Sequence, residues 1–236
     1  MARPDLSPHE RLILALDLPT VDDAEAMIAA LGERVGVYKI GLQLLFAGGV
    51  DFAARLADGG HDVFVDAKLL DIDNTVASAV ANIERLGARF LTVHAYPRAM
   101  RAAVGALGGT TLSLLGVSVL TSMDDADLAA AGYAGSVQDR VIARAMDARA
   151  AGMAGVIASP AEARALRVEI GDDLILVTPG IRTAGAELSD QKRAATPAEA
   201  IHAGADYLVV GRPILTAADP SSAADSIVNE IAAATG

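Results

Sequence analysis

Residues 62–94 read DVFVDAKLLDIDNTVASAVANIERLGARFLTVH. Within them Val63–Val65 is a short apolar run suited to a buried strand, and Thr75–Leu86 has helical composition and spacing. Gly87 ends that helix, and Phe90–Val93 forms a second apolar run. Strand, helix and strand in immediate succession make the βαβ unit of a parallel sheet. The same alternation extends in both directions. Further strand candidates are Leu12–Leu16, Val37–Ile40, Leu112–Val119, Gly155–Ile157, Leu174–Val177 and Tyr207–Val210. Helical stretches between them include Val21–Leu31, Gln43–Asp58, Val137–Ala150 and Ala161–Val168. Thr20 and Ser159–Pro160 have the chemistry of helix starts, and Gly152 and Gly204 that of helix ends. Eight strand signals, each followed by a helix signal, in 236 residues predict an α/β fold, a closed (β/α)8 TIM barrel. An open doubly wound sheet would use about five or six strands and a glycine-rich first turn. Here that turn is Asp17-Leu18-Pro19-Thr20. No linker, charge block or low-complexity segment divides the chain, so residues 1–236 are expected to form one barrel domain.

Composition narrows the function. Lys plus Arg number 19 against 30 Asp plus Glu, a net charge of −11 with a pI near 4.7. That balance argues against a general polyanion binder, and aromatics at 3% with no Trp offer little for base stacking. No nucleic-acid polymer is expected as partner, while a local basic pocket for one small anion remains compatible. The absence of cysteine removes disulfides, Fe–S clusters, thiolate zinc sites and a thiol nucleophile. His9, His61 and His202 are scattered without metal-ligand spacing, and the six methionines follow no face pattern. The start MARPDLSPHE lacks the apolar core of a secretory signal. Ala102–Met123 is uncharged, but glycines and hydroxyl residues interrupt it too often for a membrane span. The expectation is a soluble, cytoplasmic protein with no membrane association.

In a TIM barrel chemistry sits where the strands end at their C-terminal edge. The predicted strand ends carry Asp17, Lys39, the pair Asp66 and Lys68, His94, Thr121-Ser122, Pro179-Gly180-Ile181-Arg182, and Gly211-Arg212. Asp66 and Lys68 are two residues apart, so in an extended chain they share one face with Cα atoms roughly 6.5 Å apart. Alone, such a pair is an ordinary rim ion pair of little energetic weight. The apolar run before it and the second lysine at the neighbouring strand end favour a charged site instead. His94 reads more readily as a packing or hydrogen-bonding residue than as a general acid.

The run Asp66-x-Lys68-x-x-Asp71-Ile72-x-Asn74-Thr75-Val76 resembles the signature of the orotidine 5′-phosphate decarboxylase family. Leu16-Asp17 resembles that family's first-strand aspartate, and Lys39-Ile40-Gly41 its second-strand lysine motif. Val119-Leu120-Thr121-Ser122-Met123 is similar to its pyrimidine loop. Pro179-Gly180-Ile181-Arg182 with Asp190-Gln191-Lys192-Arg193 is similar to its phosphate-gripping loop, and Val210-Gly211-Arg212-Pro213-Ile214 to its last-strand phosphate motif. Leu70 and Asp73 depart from the His and Pro of many bacterial members without removing a catalytic side chain.

The resemblance implies decarboxylation of orotidine 5′-monophosphate to uridine 5′-monophosphate in pyrimidine biosynthesis, with no cofactor and no metal. It implies a catalytic charge network of Lys39, Asp66, Lys68 and Asp71, with Lys68 protonating the carbanion. Asp17 and Lys39 would bind ribose hydroxyls, and Thr121 would position the pyrimidine. Arg182, Gln191, Gly211 and Arg212 would hold the phosphate, under a lid spanning Arg182–Gln191. Asp71 and Thr75 would reach the site of a second copy, making the active unit a homodimer. Two other readings stand beside this one. A metal-dependent sugar-phosphate decarboxylase or aldolase of the same barrel would carry Glu at the position of Lys39, a poor metal ligand. A non-catalytic phosphate-binding barrel would not need Asp66, Lys68 and Asp71 together.

Overall fold

In the computed structural model, which describes residues 5–182 and 194–236, eight parallel strands pair in chain order and close, β8 onto β1. The order is β1 (Leu12–Ala15), α1 (Val21–Leu31), β2 (Val37–Gly41), α2 (Leu42–Leu44), α3 (Val50–Asp58), β3 (Asp62–Leu69), α4 (Asp73–Arg85) and β4 (Phe90–His94). It continues with α5 (Pro97–Gly105), β5 (Ser113–Val117), α6 (Asp125–Ala130), α7 (Val137–Ala151), β6 (Gly155–Ile157), α8 (Pro160–Ile170) and β7 (Ile175–Thr178). α9 (Pro197–His202), β8 (Tyr207–Val210), α10 (Arg212–Leu215) and α11 (Pro220–Thr235) complete it. The expected TIM barrel is therefore present, and every predicted strand lies within two residues of an observed one at its start.

Strand alternation sorts the side chains into two cores. Leu12, Leu14, Ile40, Val63, Val65, Leu91 and Leu176 point outward and pack under the helices. Ile13, Ala15, Val37, Phe64, Phe90, Leu115, Val177, Tyr207 and Val209 fill the barrel interior. At the N-terminal end the interior is plugged by edge-to-face contacts of Phe90 with Phe64 and with Tyr207, at 5.9 and 5.2 Å between centroids. Arg89 stacks on the Phe90 and Tyr207 rings there and ion-pairs with Asp62. The period of two then carries the inward positions to the opposite end: Val37 leads to Lys39, Phe64 to Asp66, and Val209 to Gly211.

Helix starts follow the capping chemistry read in the sequence. Thr20 accepts from the Asp23 N–H ahead of α1, and Ser136 and Thr196 form reciprocal capping boxes with Asp139 and Glu199. Ser159 sits at the N-cap of α8, but its hydroxyl is directed at the Glu162 carboxylate rather than at a backbone N–H. One helix differs from expectation. Gln43–Asp58 is not continuous, because Leu45–Gly49 forms a wide π-type turn between α2 and α3. Gly48 takes φ +92°, and a Cβ on Gly49 would fall 2.4 Å from the Leu44 carbonyl oxygen, so the two glycines allow the kink. Among the described residues no helix is long and apolar enough to cross a membrane.

Candidate active site

The C-terminal end of the barrel opens into a cavity of about 570 Å³. Its floor is formed by Ala15, Phe64, Val117, Ile157 and Val209, inward-facing residues of five strands. Asp17, Lys39, Asp66, Lys68, Thr121, Arg182, Gly211 and Arg212 line it above that floor. The cavity thus gathers four cationic side chains against two carboxylates, in a chain whose net charge is −11. That local inversion suits a small anion.

Asp66 is the hub. Its Oδ2 lies 2.8 Å from Lys68 Nζ and 3.4 Å from Lys39 Nζ, and its Oδ1 accepts from the Thr92 hydroxyl at 2.9 Å. Lys39 Nζ also donates to Asp17 Oδ1 at 3.2 Å, which extends the alternation of charge to the end of β1. Burial pushes the Asp66 carboxyl up, but the Lys39 and Lys68 charges, with hydrogen bonds from Lys68 and Thr92, outweigh it and hold it below the usual aspartate range. The side chains of Lys39 and Asp66 are only 9% and 12% exposed, so water screens their attraction weakly. Lys68 is 31% exposed and reaches up into the open part of the cavity. Gly41 leaves room for this pair: a Cβ there would lie 2.9 Å from Lys39 Nζ and 3.0 Å from Asp17 Oδ1. Both cavity carboxylates already face ammonium groups, a donor set unlike a divalent-metal site. Among the described residues no three His, Asp or Glu are grouped to hold a metal ion.

The regular extended geometry expected between Asp66 and Lys68 is not what brings them together. Val65 pairs with Leu91 and Leu69 with Val93, so the three residues Asp66, Ala67 and Lys68 of β3 stand opposite the single residue Thr92 of β4. The intervening residues bulge, and Lys68 takes φ +50°, the one positive value among described non-glycine residues.

Asp71 and Thr75 are exposed and line no part of this cavity. Asp71 instead accepts from the Ile72 N–H at 2.6 Å. Asp73, at the start of α4, makes a two-oxygen contact with Arg98 at 2.9 Å on the outer surface. Gln191 and the stretch 183–193, with most of the expected lid, lie outside the described residues. Arg182 lines the cavity while donating to the Ile181 carbonyl at 2.8 Å. His94 is half-buried, and burial, then the charges of Arg144 and Lys68, hold its imidazole below the usual histidine range.

Sequence reasoning missed two supports. Thr92 is fully buried beside Asp66, and its signal was a hydroxyl inside the apolar run Phe90-Leu91-Thr92-Val93. Arg144 on α7 lies over the rings of Tyr96 and Tyr133 at 5.0 and 5.4 Å, while the two phenol oxygens are 2.7 Å apart. Its guanidinium also donates to the Ser118 carbonyl, tethering the segment that carries Thr121. Nothing in local spacing pairs residues so distant along the chain.

Comparison with known proteins accords with this geometry. A family model described as "Orotidine 5'-phosphate decarboxylase / HUMPS family" matches residues 10–227. The orotidine 5′-phosphate decarboxylase of Rhodopseudomonas palustris strain BisB5 is 58% identical over 235 residues, covering 100% of both chains. That of Bradyrhizobium diazoefficiens is 55% identical over 236 residues, again covering 100% of each. The crystal structure of orotidine 5′-phosphate decarboxylase from Lactobacillus acidophilus superposes with a TM-score of 0.83 at 34% identity, covering 93% of this chain and 98% of that one. With its full length matched and its charged cavity on the expected strand ends, the chain belongs to the orotidine 5′-phosphate decarboxylase / HUMPS family.

Proposed function

We propose that this protein decarboxylates orotidine 5′-monophosphate to uridine 5′-monophosphate, the reaction named by its relatives, without a cofactor and with Lys68 as the acid. The observation that carries this reading is the Lys39–Asp66–Lys68 charge array lining the cavity, with Arg182 and Arg212 lining the same cavity. The arginines match the substrate phosphate, assisted by the Gly211 backbone N–H and by Gln191. Asp17 and Lys39 hold ribose hydroxyls, and Thr121 positions the pyrimidine.

When the bond between the ring carbon and its carboxylate breaks, carbon dioxide leaves and the electron pair stays on the ring carbon. The Lys68 ammonium stabilises that charge as it grows and then transfers its proton to the carbon. Water returns a proton to the amine. Asp66 repels the substrate carboxylate, a repulsion that ends when neutral carbon dioxide departs, while binding at the phosphate compensates for it.

The active unit in this reading is a homodimer. Asp71, in the loop after β3, and Thr75, in the first turn of α4, are exposed without lining their own cavity, and Leu70 and Ile72 on either side of Asp71 are 51% and 73% exposed. An apolar rim around two polar side chains suits a surface that a second copy covers. The setting is cytoplasmic in the same reading. The direct test follows the ultraviolet absorbance of orotidine 5′-monophosphate after the protein has been dialysed against chelator. Substrate loss with uridine 5′-monophosphate formed supports the proposal. Activity that appears only after Mg²⁺ is added contradicts its cofactor-free chemistry.

A further inference from the structure

The bulge in β3 raises a question that the charged residues themselves do not answer. Lys68 has left the regular ladder at φ +50°, so neither its amide nor the direction of its side chain is set by ordinary strand pairing. A non-glycine residue persists in that region only when its surroundings over-determine it. Thr92 supplies the determination. It stands on β4 opposite the bulge, between Leu91, which pairs with Val65, and Val93, which pairs with Leu69. Its side chain is fully buried.

The Thr92 hydroxyl has two partners, and their roles are fixed by chemistry. The Lys68 backbone N–H can only donate, and it donates to Thr92 Oγ1 at 2.9 Å. The hydroxyl proton is therefore free for Asp66 Oδ1, at 2.9 Å. That contact leaves Oδ2 as the oxygen facing both Lys68 Nζ and Lys39 Nζ. One hydroxyl thus ties the backbone of the lysine to the carboxylate of its charge partner. A residue kept only for packing would need neither bond, and valine would fill the same space.

We infer that Thr92 is a positioning residue for the reaction: its hydroxyl pins the β3 bulge that aims Lys68 and orients the Asp66 carboxylate between the two lysines. It touches no bound reactant and acts through these neighbours. The inference rests on the decarboxylase reading, since what it positions is the proton donor of that reaction.

The test uses the purified full chain and three variants, Thr92→Val, Thr92→Ser and Thr92→Ala, with orotidine 5′-monophosphate turnover followed across pH. Thr92→Val keeps shape and removes both bonds, and kcat should fall by about a hundredfold, the loss a small misplacement of reacting groups brings. KM should change little, because the phosphate contacts lie on other strands. The acid limb of kcat/KM, which reports free-enzyme ionisations, should move to higher pH as Asp66 loses a hydrogen bond that favours its charged form. Thr92→Ser should restore kcat and the pH profile. Should Thr92→Val fail to fold, Ser and Ala make a second pair that differs by the hydroxyl alone, with Ser active and Ala impaired. Wild-type kcat and an unshifted profile in Thr92→Val, or equal loss in Ser and Ala, would overturn the inference while leaving the reading intact. A wild-type protein that does not consume the substrate would defeat the reading, and the role with it.

Discussion

Replacing Asp66 by Asn keeps the shape of the hub and removes its charge. The amide oxygen can still accept from Thr92, so the perturbation is confined to the two ammonium groups now held at 2.8 and 3.4 Å. Breaking a buried ion pair costs about 3–5 kcal/mol, because the surviving charge stays desolvated. Two features reduce that figure. Lys39 keeps Asp17 at 3.2 Å, and Lys68, 31% exposed, can turn its ammonium toward water. The expected loss at neutral pH is therefore about 2 kcal/mol, below the fully buried case. Its pH dependence has a definite sign. The Asp66 carboxyl is held below its ordinary range, so its contribution is fully present above the unfolded-state value of about 3.9 and is lost as pH falls through the lower folded-state value. Urea unfolding of wild type and Asp66→Asn, followed by circular dichroism, should show a constant stability gap from pH 7 to pH 5 that narrows below about pH 4. A gap of zero at neutral pH, or one that does not narrow in acid, would refute the argument that this carboxylate is stabilised by its two lysines.

Two further outcomes are expected. Gly41→Ala places a methyl against Lys39 Nζ and Asp17 Oδ1, both ends of movable side chains, so the melting temperature should hold while kcat/KM falls about tenfold, or some 1.4 kcal/mol; wild-type kinetics would mean that the close approach is immaterial. Mixing inactive Asp71→Ala and Lys68→Ala proteins, with subunit exchange verified by a mass tag, should recover about a quarter of wild-type activity if Asp71 serves a second copy's site. Verified exchange without recovery would place Asp71's action within its own subunit.

The barrel was legible because each strand is a short apolar run bounded by recognisable caps, and Val21–Leu31, Gly155–Ile157 and Tyr207–Val210 appear with the bounds their residues suggest. The cavity residues were legible for a related reason: a period of two places Lys39, Asp66 and Gly211 on the inward face wherever Val37, Phe64 and Val209 are inward. Periodicity fails where a strand leaves its period, as at Lys68, whose register is set by Thr92 across the ladder and not by its own neighbours. The same limit applies to the turn at Leu45–Gly49, where composition reads as helix and only the paired glycines signal a kink. Long-range supports such as Arg144 between Tyr96 and Tyr133 leave no local trace at all.

In the proposed reaction Lys68 delivers the proton, and Lys68→Ala tests that role. Asp66 retains Lys39 at 3.4 Å and Thr92 at 2.9 Å in that variant, and Arg182, Gly211 and Arg212 are untouched, so the fold and product binding should survive. Loss of the acid and of its charge together should lower kcat by at least about 10⁴-fold. The measurement is single-turnover decarboxylation of orotidine 5′-monophosphate, paired with calorimetric binding of uridine 5′-monophosphate. The expected result is near-complete loss of turnover with product binding still measurable. Turnover above about a hundredth of wild type, less than the contribution expected of a general acid, would contradict it.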